Sequence, residues 1–181
     1  VCGLEVWGKT IGVIGTGRIG KGVVQRAAGF NMNILANDAY PDHAFLERFG
    51  GQYVDLDRIY READFITIHA PLTDTTNNMI NERALSMMKP TAVLINAARG
   101  GIVDEAALYM ALKEHRIYGA ALDATEIEPA CGSPLALLDN CILTPHAGAA
   151  TREASLKMGL LAAQNVIDVL RGKECRYIVN E

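Results

Sequence analysis

Three glycines, Gly15-x-Gly17-x-x-Gly20, stand between an apolar run at residues 10–15 (TIGVIG) and a stretch with helical spacing of Ile19, Val23, Val24 and Ala27. A strand-to-helix turn of that spacing is built to take a phosphate. Gly15 permits a tight turn, Gly17 lets backbone approach a pyrophosphate, and Gly20 lets the helix pack close to the strand. The N–H groups near Arg18 and Ile19, at the helix start, would face the phosphates. Asp38 lies 18 residues after Gly20, directly behind the strand-like NILAN. An acid there accepts hydrogen bonds from ribose hydroxyls. Ala39 follows it, not a basic residue that would welcome a 2′-phosphate, so the reading is NAD rather than NADP.

Three later segments each bring one reactive group to the end of a strand-like run. Arg99, in NAARGG behind AVLIN, has a fork suited to a carboxylate. Glu126 and Glu128 follow Asp123 in LDATEIEP, and His146 sits in TPHAG. A histidine is the natural acid or base near neutral pH, and a neighbouring carboxylate favours its protonated form and fixes its tautomer. Spacing does not decide which glutamate faces His146. Taken alone, each group has a plainer reading: a surface arginine, solvated loop acids, a histidine closing a turn.

The elements that must position these groups are short buried strands alternating with helices. Strands are predicted at 10–15, 33–37, 64–69, 92–96, 120–123 and 141–144. Helices are predicted at 18–29, 44–49, 56–63, 82–88, 104–114 and 151–170, the last ending at Gly172. That order predicts an α/β fold: a doubly wound parallel sheet of the Rossmann type in a single three-layer domain. Ligands of such sheets bind beyond the carboxyl ends of the strands, where all these groups lie.

Composition narrows the function classes. The chain has 181 residues, half of them hydrophobic and 21% charged, a globular profile. A net charge of −4 argues against a surface built to neutralise nucleic acid or an anionic membrane. No apolar run approaches the ~18–20 residues of a spanning helix, and residues 1–10 hold no signal-peptide core. Cys2, Cys131, Cys141 and Cys175 form neither a metal-ligand set nor a disulfide framework, which points to a reducing, cytoplasmic setting. The four histidines are too scattered for a metal cluster, so no metal is expected.

Together, WGKTIGVIGTGRIG, HAPLT, INAARGGIVDEAAL, GAALDATEIEP and LTPHAGAATREA resemble the NAD-binding domain of the D-isomer-specific 2-hydroxyacid dehydrogenases, most closely the phosphoglycerate dehydrogenase branch. They run in family order from about Trp7 to Asn180. The resemblance implies an NAD-dependent oxidoreductase acting on a D-2-hydroxy or 2-oxo acid. It implies that Arg99 holds the substrate carboxylate, that His146 is the general acid/base, and that Glu128 rather than Glu126 pairs with it. It places Arg18 and Ile19 on the pyrophosphate, Asp38 on the ribose, and Ala70, Pro71, Ala97, Asp123 and Gly148 around the nicotinamide side. It also implies a homodimer. Residues 1–181 are then the NAD-binding domain of a two-domain enzyme, with the substrate-binding domain absent from this chain and the isolated domain expected to turn over little substrate.

Two departures touch the cofactor wall: Ala124-Thr125 replaces the family's Val and aromatic, and Ala70 stands where a hydroxyl is often found. Other readings are a glyoxylate/hydroxypyruvate reductase or D-lactate dehydrogenase of the same family, or an NAD-sensing co-repressor-like module. An S-adenosylhomocysteine hydrolase cofactor domain is disfavoured by the intact Arg99, Glu128 and His146.

Overall fold

A computed structural model describes residues 3–175, 177 and 178; Cys2 and the end of the matched motif span at Asn180 lie outside them. Its contacts divide the chain into two compact units, Val1–His146 and Ala147–Glu181.

The first unit holds a seven-stranded sheet among the described residues: β1 (Thr10–Ile14), β2 (Asn33–Asn37), β3 (Gln52–Tyr53), β4 (Phe65–Ile68), β5 (Val93–Asn96), β6 (Gly119–Leu122) and β7 (Cys141–Leu143). The helices between them are α1 (Arg18–Gly29), α2 (His43–Glu47), α3 (Leu56–Glu62), α4 (Glu82–Met87) and α5 (Glu105–Lys113). Strand order is β3-β2-β1-β4-β5-β6-β7, with every pair parallel. The order reverses between β1 and β4, which opens a crevice at the carboxyl ends of those two strands. The doubly wound parallel sheet predicted from the sequence is the fold observed.

Alternation along each strand sends side chains to two cores. Ile14, Leu35, Ile66, Ile68, Leu94 and Leu122 pack under α3, α4 and α5. Ile11, Val13, Ile34 and Ala36 pack under α1 and α2. Each large aliphatic buried fully in this way contributes about 1.5–3 kcal/mol of transfer free energy. The second core covers β1 and β2 and reaches Phe65 of β4; Val93, Ile95 and Ala121 further along the sheet are half-buried, and Ile142 is exposed.

Most element predictions hold to within two residues. The structure adds two elements: edge strand β3, and a 3-10 turn at Pro134–Leu137. A two-residue strand is too short to carry a period-2 pattern, so its pairing with Leu35 and Ala36 appears only in three dimensions.

The second unit holds α6 (Arg152–Leu170), capped by Thr151, whose Oγ1 accepts from the Ala154 N–H at 3.1 Å. None of its residues is buried, and Leu156, Leu160, Val166 and Leu170 are among its exposed apolar side chains.

Candidate functional site

The parallel strands deliver their loops to one edge of the sheet. In sheet order that edge carries Asp38 behind β2, Gly15 behind β1, Ala70 behind β4, Ala97 and Arg99 behind β5, Asp123 and Glu128 behind β6, and His146 behind β7. At about 4.8 Å per strand the row runs for roughly 24 Å, enough for an extended dinucleotide.

The glycine turn fits a phosphate on structural grounds. Gly15 has a φ of 91°, and a Cβ there would sit 2.6 Å from the His69–Ala70 backbone. A Cβ on Gly20 would sit 1.9 Å from the Gly15 carbonyl, so only glycine lets α1 pack this close. Gly17 differs: a Cβ there would meet no protein atom within 4 Å. The space beside it is open for a ligand. Gly17 is also the N-cap of α1, with no side-chain cap and no acid in the first turn, so the positive end of the helix faces that space. Helices α2 through α5 are each capped by an Asp or Asn side chain.

Asp38 is held by its neighbours. Its Oδ2 accepts from the Thr16 N–H and from Thr16 Oγ1 at 3.0 Å, and its Oδ1 accepts from the Tyr40 N–H at 2.8 Å. Partial burial pushes its pKa up, but the Tyr40 and Thr16 donors and the nearby Lys21 charge outweigh that and hold the carboxyl below its ordinary value. It is an ionised acceptor at neutral pH, as ribose hydroxyls require.

Ile19, Ala70, Pro71, Ala97 and Arg99 share one cleft of about 570 Å³, together with His69, Leu72 and Ala98. Arg99 Nη1 donates to the Ala98 carbonyl at 2.7 Å. A second cleft of about 300 Å³ is lined by Asp123, Thr125, Glu128, Thr144 and His146, with Pro129, Ala130 and Pro145 completing its wall. Asp123 Oδ1 accepts from Thr144 Oγ1 at 2.6 Å. Gly148 falls in the second unit.

The question left open by spacing has a geometric answer. His146 Nδ1 lies 3.0 Å from both Glu128 oxygens. An ionised carboxylate only accepts, so Nδ1 carries the proton and Nε2 is left as the basic nitrogen. His146 has a φ of 52°, a left-handed backbone that is uncommon outside glycine. Glu126 goes elsewhere. Its Oε1 accepts from the Glu105 N–H at 3.1 Å, and Glu105 Oε1 accepts from the Glu126 N–H at 2.6 Å. This reciprocal clasp ties the loop behind β6 to the start of α5. It also presses two carboxylates together: burial first, then the Glu126 charge, raises the Glu105 pKa despite the bond that opposes it.

Asn96 carries a positioning role that its residue type alone did not reveal. It is 1% exposed. Its Nδ2 donates to the Arg99 carbonyl at 2.9 Å and the Ala124 carbonyl at 3.2 Å, and its Oδ1 accepts from the Ala98 N–H at 3.1 Å. One side chain thus joins the arginine loop to the acid loop. Gly100 allows the same approach, since a Cβ there would sit 2.0 Å from the Thr125 carbonyl oxygen. Thr16, which donates twice to Asp38, has no sequence signal beyond its place inside the glycine turn.

Known proteins resemble this chain over nearly its whole length. Residues 1–148 match the family model described as D-isomer specific 2-hydroxyacid dehydrogenase, NAD binding domain. A D-3-phosphoglycerate dehydrogenase of Methanocaldococcus jannaschii is 48% identical over 98% of this chain and 34% of its own length. A glyoxylate reductase of Pyrococcus furiosus is 46% identical over 99% of this chain and 53% of its own. Among solved structures, D-lactate dehydrogenase with NAD+ from Lactobacillus jensenii superposes with a TM-score of 0.90 at 34% identity, covering 99% of this chain and 58% of that one. The chain spans from about a third to somewhat over half of the length of these relatives.

Proposed function

This chain belongs to the D-isomer specific 2-hydroxyacid dehydrogenase family and contains its NAD-binding domain, and from that premise we propose that the protein carrying it oxidises a D-2-hydroxy acid, with D-3-phosphoglycerate the substrate the reading favours. The observation that carries the proposal is the His146 Nδ1–Glu128 contact at 3.0 Å, two strands along the sheet from the Arg99 loop.

The roles follow from the chemistry of the groups. The Arg99 fork takes the substrate carboxylate and fixes the 2-carbon. His146 Nε2 accepts the proton of the 2-hydroxyl on oxidation and returns it on reduction. Glu128, accepting from Nδ1, holds the tautomer and stabilises the imidazolium that forms. Arg99 and His146 place positive charge where an alkoxide develops. Bound NAD supplies the hydride acceptor at its nicotinamide. Gly15, Gly17, Gly20, Arg18 and Ile19 would hold its pyrophosphate, Asp38 its adenine ribose, and Ala70, Pro71, Ala97 and Asp123 its nicotinamide end.

The glyoxylate reductase reading stays alongside, because a relative of that name is nearly as similar as the phosphoglycerate dehydrogenase. The resemblance supports a homodimer. Free Cys131, Cys141 and Cys175 support a reducing, cytoplasmic setting. The test measures NAD+ reduction by the full-length protein with D-3-phosphoglycerate, D-glycerate and D-lactate, and NADH oxidation with glyoxylate and hydroxypyruvate. Preference for D-3-phosphoglycerate, with loss of turnover but near-normal NADH binding in His146→Ala, bears the proposal out. Turnover of L-isomers, or a His146→Ala variant at full rate, sinks it.

A further inference from the structure

At the adenine end, Lys21 sits in the first turns of α1, one residue beyond Gly20, and its ammonium is paired with Asp42 Oδ2. The same ammonium lies 4.9 Å from the centroid of the Phe45 ring. Asp42 is itself tied down: its Oδ1 caps α2 by accepting from the Phe45 N–H at 3.1 Å. The Asp42 N–H donates to the Tyr53 hydroxyl at 3.0 Å. Tyr53 and Thr16 hydroxyls are 2.8 Å apart, and Thr16 Oγ1 is 3.0 Å from Asp38 Oδ2. Because the Asp38 carboxylate only accepts, Thr16 donates to it and Tyr53 donates to Thr16. A directed chain therefore runs from the Asp42 amide through Tyr53 and Thr16 to Asp38, and the Lys21–Asp42 pair sits at its other end.

We infer that Asp42 is a specificity residue that excludes NADPH by neutralising Lys21, the cation placed to receive a 2′-phosphate. This rests on the reading of Asp38 as the ligand of the adenine ribose. A phosphate on the 2′-oxygen would enter the neighbourhood shared by Asp38, Asp42 and Lys21. There it meets one fixed carboxylate directly, and the lysine that would offset the repulsion is already engaged. Lys21 lies close enough to Asp38 to act on its charge. Of the other basic residues described near this end, Arg18 opens α1 at the pyrophosphate position, and the His43 ring stacks edge-on against Tyr53 at 5.0 Å. Discrimination is then built from two acids with different tasks. Asp38 repels the phosphate, and Asp42 withholds the lysine.

The experiment titrates NADH and NADPH separately against the protein and its Asp42→Asn, Lys21→Met, double and Asp38→Asn variants, following nicotinamide fluorescence at low and high salt. Asparagine keeps the α2 cap, which thermal melts of each variant verify. Asp42→Asn is expected to tighten NADPH about fivefold, the size of one solvent-accessible ion pair, and to leave NADH within about twofold. The gain should vanish in the double variant and shrink at high salt. An unchanged NADPH-to-NADH ratio in Asp42→Asn overturns the inference, as does a gain that survives Lys21→Met. Unaltered NADH binding in Asp38→Asn would bring down the ribose reading and this inference together. A weakened Asp38→Asn beside a flat Asp42→Asn brings down the inference alone.

Discussion

Replacing Asn96 with alanine should cost this protein about 3 kcal/mol of folding stability, although Asn96 is one residue of a loop junction. The side chain is 1% exposed and makes three hydrogen bonds, to the Ala98 N–H and to the Arg99 and Ala124 carbonyls. Alanine removes all three. Ala98 and Ala124 are themselves buried, at 9% and 2% exposed, so two backbone groups lose their partner where water does not readily replace it. Each stranded group costs about 1–3 kcal/mol. Arg99 is exposed, and water can take over its carbonyl, so the third bond adds little. Urea denaturation followed by far-UV circular dichroism measures the loss as a lower midpoint at unchanged slope, a shift of about 1–3 M at ordinary slopes. At pH 7, Asn96→Asp should be at least as harmful, because its acceptor-only carboxylate faces the two carbonyls that Nδ2 now serves. A loss under about 1 kcal/mol for alanine, or a milder aspartate, would refute the view that Asn96 joins the arginine and acid loops.

Gly17→Ala and Gly20→Ala should separate cofactor space from packing space. Gly20→Ala drives a Cβ into the Gly15 carbonyl and should cost about 3 kcal/mol or more, whereas Gly17→Ala meets no protein atom and should leave stability within about 1 kcal/mol while weakening NADH at least about tenfold. Equal stability losses in the two would contradict this. Asp64 tests the acid limb: burial pushes its pKa up, but the Thr10 N–H at 2.9 Å and Lys89 at 2.9 Å outweigh it and hold the carboxyl low. A folded pKa below the unfolded one of about 3.9 gives stability that is complete above it and is lost as pH falls through the folded value. The stability gap between wild type and Asp64→Asn should therefore be flat from pH 5 to 7 and close below pH 4; a gap that widens in acid is the wrong sign. Burial, aided by the Glu105 charge, pushes the Cys141 thiol up to about 11, while Cys131 is exposed. A short pulse of thiol reagent at pH 8, read by mass spectrometry, should label Cys131 well before Cys141.

Local patterns by themselves determined six of the seven strands, the α-helices and the fold class, because a buried parallel strand and an amphipathic helix each write their period into adjacent residues. They determined the glycine turn for the same reason: the tight turn, the ligand approach and the helix packing all fall within the six residues from Gly15 to Gly20. Arg99, His146 and Asp38 were legible as candidates, since each directly or closely follows a strand. What tertiary structure alone decided was pairing. Glu126 and Glu128 are both acids in one loop, and only the path of that loop sends Glu128 to His146 and Glu126 to the Glu105 amide. Only the sheet brings Tyr53 of a two-residue edge strand against Thr16, and Asn96 against Ala124 across 28 residues. A hydrogen bond is made in space and reaches about 3 Å, so no spacing along the chain encodes its partner.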